Sequence, residues 1–128
     1  MKSKRKKLIP LPKLRKKVWT LMSEYIRSKA ANHQGYVHCY TCGKQDNWRS
    51  MDAGHFIHNK LDFDPRNLKI QCGRCNRYLR GNLGVYAIKL VQEYGLEWVN
   101  KLQVDAQIKG NNYNREEIEG IIKWIKTS

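Results

Sequence analysis

Asn67-Leu-Lys-Ile-Gln-Cys72-Gly-Arg-Cys75-Asn76 is the stretch on which the fold of this chain turns. It closes on a Cys-x2-Cys pair, and the other two cysteines form a matching pair, Cys39-Tyr-Thr-Cys42. The full pattern is Cys-x2-Cys-x29-Cys-x2-Cys and uses every cysteine present. Two intervening residues let both thiolates of a knuckle reach one ion at about 2.3 Å, so the four read as a tetrahedral structural site for one Zn²⁺ per chain. Two disulfides would suit a secreted chain, and thioredoxin-like chemistry uses a single Cys-x-x-Cys in a βαβ context.

Working outward, Asp52-Ala-Gly-His55-Phe-Ile lies between the knuckles, and Asn67 follows His55 by twelve residues. The order is knuckle, histidine, asparagine, knuckle, asparagine. This order resembles the HNH nucleases over roughly residues 39–82. The resemblance implies an α+β fold with a ββα-metal core. Two strands are expected near 51–57 and 67–71, with a helix beginning near 75. It also implies roles. His55 would be the general base, since a neutral imidazole accepts a proton from water near neutral pH. Asn76 would offer an amide oxygen to a hard catalytic ion, Mg²⁺ or Mn²⁺. Asn67 would brace the loop that aims His55, a role a Ser or Asp could partly fill. His55, Asn67 and Asn76 are therefore the candidate catalytic set. Many HNH enzymes place an acid or a histidine directly before the base, as a metal ligand. Here that position is Gly54. Asp52 is the nearest acid and takes the second ligand role, with Asp62, Asp64 and His58 as lesser candidates.

Charge points to the same class of partner. The formal net charge is +14, and so basic a chain selects a polyanion, with nucleic acid the default. Lys69, Arg74, Arg77 and Arg80 flank the second knuckle and are read as phosphate contacts, which position DNA without reading its sequence. No run of apolar residues reaches the length of a membrane span, and the basic N-terminus lacks the apolar segment of a signal peptide. The expectation is a cytoplasmic protein, in a bacterial host if phage-encoded, with no membrane partner.

The organisation is that of one domain. Residues 1–17 hold nine Lys or Arg and no acid, and Pro10 and Pro12 interrupt helix there, so residues 1–12 read as a flexible basic arm. Leu14, Val18, Leu21, Met22, Tyr25 and Ile26 share one face at the helical period, which predicts a helix over 13–31. The zinc and ββα core should occupy 36–82. A tail over 83–128 should hold three short helices: one stopping at Gly95, one over about 97–108 and one opened by a near capping box at Asn114 and Glu117. The tail completes the core or supports a dimer. His33 and His38 read as surface residues, and the Trp and Tyr residues as core.

A narrower family matches more of the chain. Tyr25-Ile-Arg27, Cys39-Tyr-Thr-Cys42-Gly43, Ala53-Gly-His55-Phe56, Gln71-Cys72-Gly-Arg-Cys75-Asn76 and Gly81-Asn82 together resemble the NinG, or Rap, proteins of lambdoid phages from about residue 14 to 105. Tyr86, Leu90 and Tyr94-Gly95 fit as well. The resemblance implies a recombination nuclease acting on branched DNA, including Holliday junctions and D-loops, as a homodimer. Two other readings stay open on the residues alone. One is a non-catalytic zinc module that binds nucleic acid. The other is an HNH nuclease of restriction or homing type.

Overall fold

The computed structural model describes residues 7–128 and is a mixed α+β fold of several helices and two small sheets. Of the basic arm expected over 1–12, residues 1–6 lie outside the described residues and 11–12 open the first helix.

The first helix, α1, runs Leu11–Lys29 with Pro10 as its N-cap. Expecting the helix only from 13, with the prolines as interruptions, misjudged them. Pro12 sits in the first turn, where backbone N–H groups have no intrahelical partner and a fixed φ is already helical. Leu14, Val18 and Met22 are its buried face.

Two antiparallel ribbons follow. Strands β1 (Tyr36–His38) and β2 (Gln45–Asn47) pair Tyr36 with Asn47 and His38 with Gln45. The motifs did not announce this hairpin. Its turn is the first cysteine knuckle, closed by Gly43 N–H donating to the Cys39 carbonyl at 2.9 Å. Strands β3 (Asp52–His55) and β4 (Leu68–Gln71) pair Asp52 with Gln71 and His55 with Leu68. Both are shorter than the expected 51–57 and 67–71. Alternation divides β3 between two faces. Ala53 packs with Met22 of α1 and Leu68, while Asp52 and Gly54 look toward the turn that follows β4. That turn, Arg74–Tyr78, is one wide π-helical turn in place of the α-helix expected near 75.

A two-stranded ribbon is marginal alone, and helices stabilise this one. Helices α2 (Leu83–Tyr94), α3 (Leu96–Lys109) and α4 (Arg115–Lys126) complete the chain. Tyr86, Leu90, Val99 and Leu102 of α2 and α3 bury Phe56 and Leu61. Ile118 and Ile122 of α4 meet Leu14 and Val18 of α1 around Phe63 and Tyr113. Helix α4 opens with a complete capping box: Glu117 N–H donates to Asn114 Oδ1 at 2.9 Å, and Asn114 N–H to Glu117 Oε1 at 3.2 Å. Among the described residues no helix is long and apolar enough to cross a membrane.

Candidate functional site

The four cysteines converge. One sulfur from each of Cys39, Cys42, Cys72 and Cys75 lies within 4.8 Å of the others, and none is in a disulfide. Cys42 and Cys72 are 3.7 Å apart, close to the roughly 3.8 Å edge of a tetrahedron with 2.3 Å metal–sulfur bonds. The cluster could hold a metal ion such as zinc. Local donors favour thiolate at Cys39 and are outweighed by burial at Cys42 and Cys72. Cys75 N–H donates to Cys72 Sγ at 3.4 Å, and Thr41 Oγ1 lies 3.4 Å from Cys39 Sγ. Burial pushes the Cys39 thiol upward, but hydrogen bonds from Thr41 and from backbone N–H groups outweigh it and bring it down to about 6. At Cys72 burial prevails and the thiol is raised. A divalent cation would relieve that imbalance by drawing all four to thiolate.

His55 ends β3 and is half-buried. Its ring stacks on Trp19 of α1, centroids 4.9 Å apart. Its Nε2 lies 3.0 Å from the Asp62 carbonyl oxygen. A carbonyl only accepts, so Nε2 carries the proton, and in the neutral ring Nδ1 keeps its lone pair free.

Asn67 is fully buried and fastens the loop between His55 and Asp62. Its Oδ1 accepts from Ile57 N–H at 2.7 Å. Its Nδ2 donates to the carbonyls of Ile57 (3.0 Å), Lys60 (2.9 Å) and Leu61 (3.3 Å). The Asp62 carbonyl that meets His55 is the next one along, so Asn67 positions the histidine through the loop. An Asp here would keep the bond accepted from Ile57 N–H and lose the donor that the three carbonyls share. Asn67→Ala leaves a buried N–H and several carbonyls unpaired, at about 1–3 kcal/mol for each group that water cannot reach. The urea unfolding midpoint should fall clearly. An unchanged midpoint would show that the loop holds itself.

The other candidates sort by contact. Asp52 and Asn76 come together: Asn76 Nδ2 donates to Asp52 Oδ2 at 3.0 Å, and Arg77 Nε to the same oxygen at 3.1 Å. Asp62 faces His55, with Oδ1 3.8 Å from Nε2. Asp64 belongs elsewhere, bonded to Arg66, which also pairs with Asp105 at 2.8 Å. His58 is exposed and lies against Gly81. Arg74, Arg77 and Arg80 are exposed on the π-turn and just beyond it. Lys69 is engaged by Glu93 at 3.5 Å and by the Tyr94 hydroxyl, and it lies over the rings of Tyr40 and Tyr94.

Sequence reasoning passed over three groups. Tyr86 donates its hydroxyl to the Gly54 carbonyl at 2.8 Å and so pins β3. Tyr78 is 81% exposed between the turn's arginines, where the tyrosines had been expected in the core. Gln71 is fully buried: its Nε2 donates to Thr41 Oγ1 at 3.1 Å and to the Gly81 carbonyl at 2.9 Å, and its Oε1 has no partner. A Cβ built on Gly54 would sit 1.8 Å from that Oε1 and 3.1 Å from Asn76 Oδ1. Both amide oxygens therefore reach into the space Gly54 leaves.

The family model described as "Bacteriophage Lambda NinG protein" matches residues 1–128. The chain is 32% identical over 87 residues to "Protein ninG" of Salmonella phage P22, covering 65% of this chain and 41% of that protein. It is 33% identical over 81 residues to "Protein ninG" of Escherichia phage 933W, and 32% identical over 81 residues to that of Escherichia phage lambda. Each of these two alignments covers 60% of this chain and 36% of the relative, so the chain spans about two fifths of the curated relatives it matches. No solved structure matches it.

Proposed function

This chain belongs to the NinG family of phage proteins, and on that footing we propose that it is a metal-dependent DNA endonuclease of the HNH, ββα-metal class. The observation that carries the reading is the hydrogen bond between His55 Nε2 and the Asp62 carbonyl. It places the ring's proton on one nitrogen and leaves the other to act as base. The same ring stands one residue from Gly54, where two amide oxygens lie close together.

Hydrolysis needs a base for water, stabilisation of charge at phosphorus and a leaving oxygen. His55 takes the proton from water as its oxygen forms the new bond to phosphorus. The sugar oxygen departs with the electron pair of the broken P–O bond and is protonated from solvent. Trp19 and the Asp62 carbonyl hold the imidazole in one orientation through this step. A bound Mg²⁺ or Mn²⁺ supplies Lewis-acid stabilisation of a non-bridging phosphate oxygen. Asn76 fits as a holder of that ion because its amide is fixed by Asp52 with the oxygen turned to the Gly54 space. One Zn²⁺ in the four-cysteine cluster anchors both ribbons. Arg74 and Arg80, exposed on the π-turn and its exit, contact phosphates, and Tyr78 adds a flat surface against sugar or base.

We take branched recombination intermediates, Holliday junctions and D-loops, as the preferred substrate, and a homodimer in the host cytoplasm as the working form. The branch preference comes from the family resemblance. Exposed Ile88, Val104 and Ile108 on α2 and α3 suit contact with a second copy. The test is cleavage of a four-way junction, a D-loop and linear duplex by zinc-loaded protein, with and without Mg²⁺ or Mn²⁺. Ion-dependent cutting of the branched substrates is expected. Binding without cutting in every lane would leave a zinc module for nucleic-acid binding. Cutting of linear duplex at one sequence would indicate the restriction or homing type.

A further inference from the structure

We propose that the side-chain oxygen of Gln71 is the second protein ligand of the catalytic ion, filling, with Asn76 Oδ1, the position that a side chain at Gly54 would otherwise supply. The purpose of the ion rests on the nuclease reading above; its ligands rest on the geometry.

Gln71 Oε1 is buried with no hydrogen-bond partner, a condition folded proteins rarely tolerate without a reason. The amide cannot simply be turned over. Nε2 faces the Gly81 carbonyl at 2.9 Å, and a flip would set two acceptor oxygens against each other. Oε1 must therefore face Gly54. Asn76 is constrained likewise: its Nδ2 is spent on Asp52 Oδ2, which turns Oδ1 into the same space. A Cβ on Gly54 would lie 1.8 Å from one oxygen and 3.1 Å from the other, so both border the space in which we place the ion.

The ligand chemistry suits the ion. Amide oxygens are hard donors of the kind Mg²⁺ and Mn²⁺ accept, and an ion with few protein ligands keeps waters and takes phosphate oxygens from substrate. Asp52 then acts as a positioning residue, since its carboxylate orients the Asn76 amide and already accepts from Arg77. Gly54 also gains an explanation. It is absent from the glycines with positive φ, so its backbone is open to any residue. What requires glycine is room, because a Cβ there would collide with Gln71 Oε1. Gln71 is held in turn by Thr41, which also touches Cys39 Sγ. The zinc knuckle thus presets the ligand.

Two measurements on the full zinc-loaded chain, without DNA, test this. In ¹⁵N-labelled wild type titrated with Mn²⁺, the side-chain NH₂ signals of Gln71 and Asn76 should broaden at the lowest ion concentration, ahead of those of Asn32 and Asn111. By calorimetry, Gln71→Ala should bind Mn²⁺ at least about tenfold more weakly, and adding Gly54→Asp should restore affinity, because the deleted amide makes room for the carboxylate. The proposal is overturned if the Gln71 signal persists while other groups broaden. It is also overturned if Gln71→Ala, with wild-type zinc content, binds Mn²⁺ as tightly as wild type. The wild-type titration decides the matter should Gln71→Ala fold poorly. Mn²⁺ at Gln71 with no DNA cleavage would refute the nuclease reading alone. Cleavage with undiminished Mn²⁺ affinity in Gln71→Ala would refute this proposal alone.

Discussion

Removing the metal from the four-cysteine cluster should unfold the middle of the chain. Elemental analysis of native protein should give about one Zn per chain. A strong chelator should abolish the cooperative thermal transition, and Cys72→Ser should accumulate as poorly folded protein at ordinary temperature. The magnitudes decide this. A structural zinc site is worth roughly 10–16 kcal/mol at neutral pH, whereas a small domain retains only about 5–15 kcal/mol in all. Little else could replace the ion here. Each ribbon has only two strands, and the four sulfurs lie where the turn of β1–β2 meets the end of β4 and the π-turn. Apolar support for that junction is thin, chiefly Val37, Met51 and Ile70. The α1–α4 contact around Phe63 and Tyr113 lies apart from it, so some helical signal should survive chelation while the near-ultraviolet signal of Trp48 and Tyr40 collapses. A chelated protein that melts as before, or a preparation with two disulfides and no metal, would remove zinc from the account.

The parts of this molecule that are legible in its sequence are those set by short-range rules. The cysteine spacing places four sulfurs on one point. The 3.6-residue stripe of Leu14, Val18 and Met22 marks α1, and Asn114 with Glu117 marks the start of α4. What escapes is imposed by contacts distant in sequence. Gln45-Asp-Asn47 has poor strand propensity and pairs with Tyr36–His38 because a knuckle closes the turn between them. Lys69 reads as a phosphate contact by its neighbours in the chain, yet Glu93 and Tyr94 of α2 engage it. Gln71 is the sharpest case. Pairing with half-buried Asp52 at the end of β4, a polar residue would be expected to face water. Thr41 and Gly81, thirty residues before and ten after, close over it and reverse that expectation. The motif Gln-Cys-x2-Cys-Asn named both amides without indicating that they face one space.

Replacing His55 should stop cleavage while DNA binding continues. A positioned general base contributes about 10²–10⁴ in rate, so His55→Ala should lose that much in single-turnover cutting of a four-way junction. Binding should stay near wild type, because the exposed Arg74 and Arg80 belong to the π-turn and its exit and make no bond to the imidazole. Alanine also removes the stacking partner of Trp19, and a modest fall in melting temperature is expected. That fall must be separated from the chemical loss, and the geometry offers a way. His55→Gly opens a slot bounded by the Trp19 ring and the Asp62 carbonyl. Free imidazole can enter it, donate to the carbonyl and present its other nitrogen as His55 does. Cleavage by His55→Gly should therefore rise with added imidazole and not with an equal concentration of a non-basic heterocycle. Asn67→Ala, by loosening the loop that carries the Asp62 carbonyl, should respond to imidazole far less, since there the base is present and only its aim is lost. Full activity in His55→Ala would exclude this histidine as the base. Equal rescue by any small heterocycle would reduce its role to filling space beside Trp19.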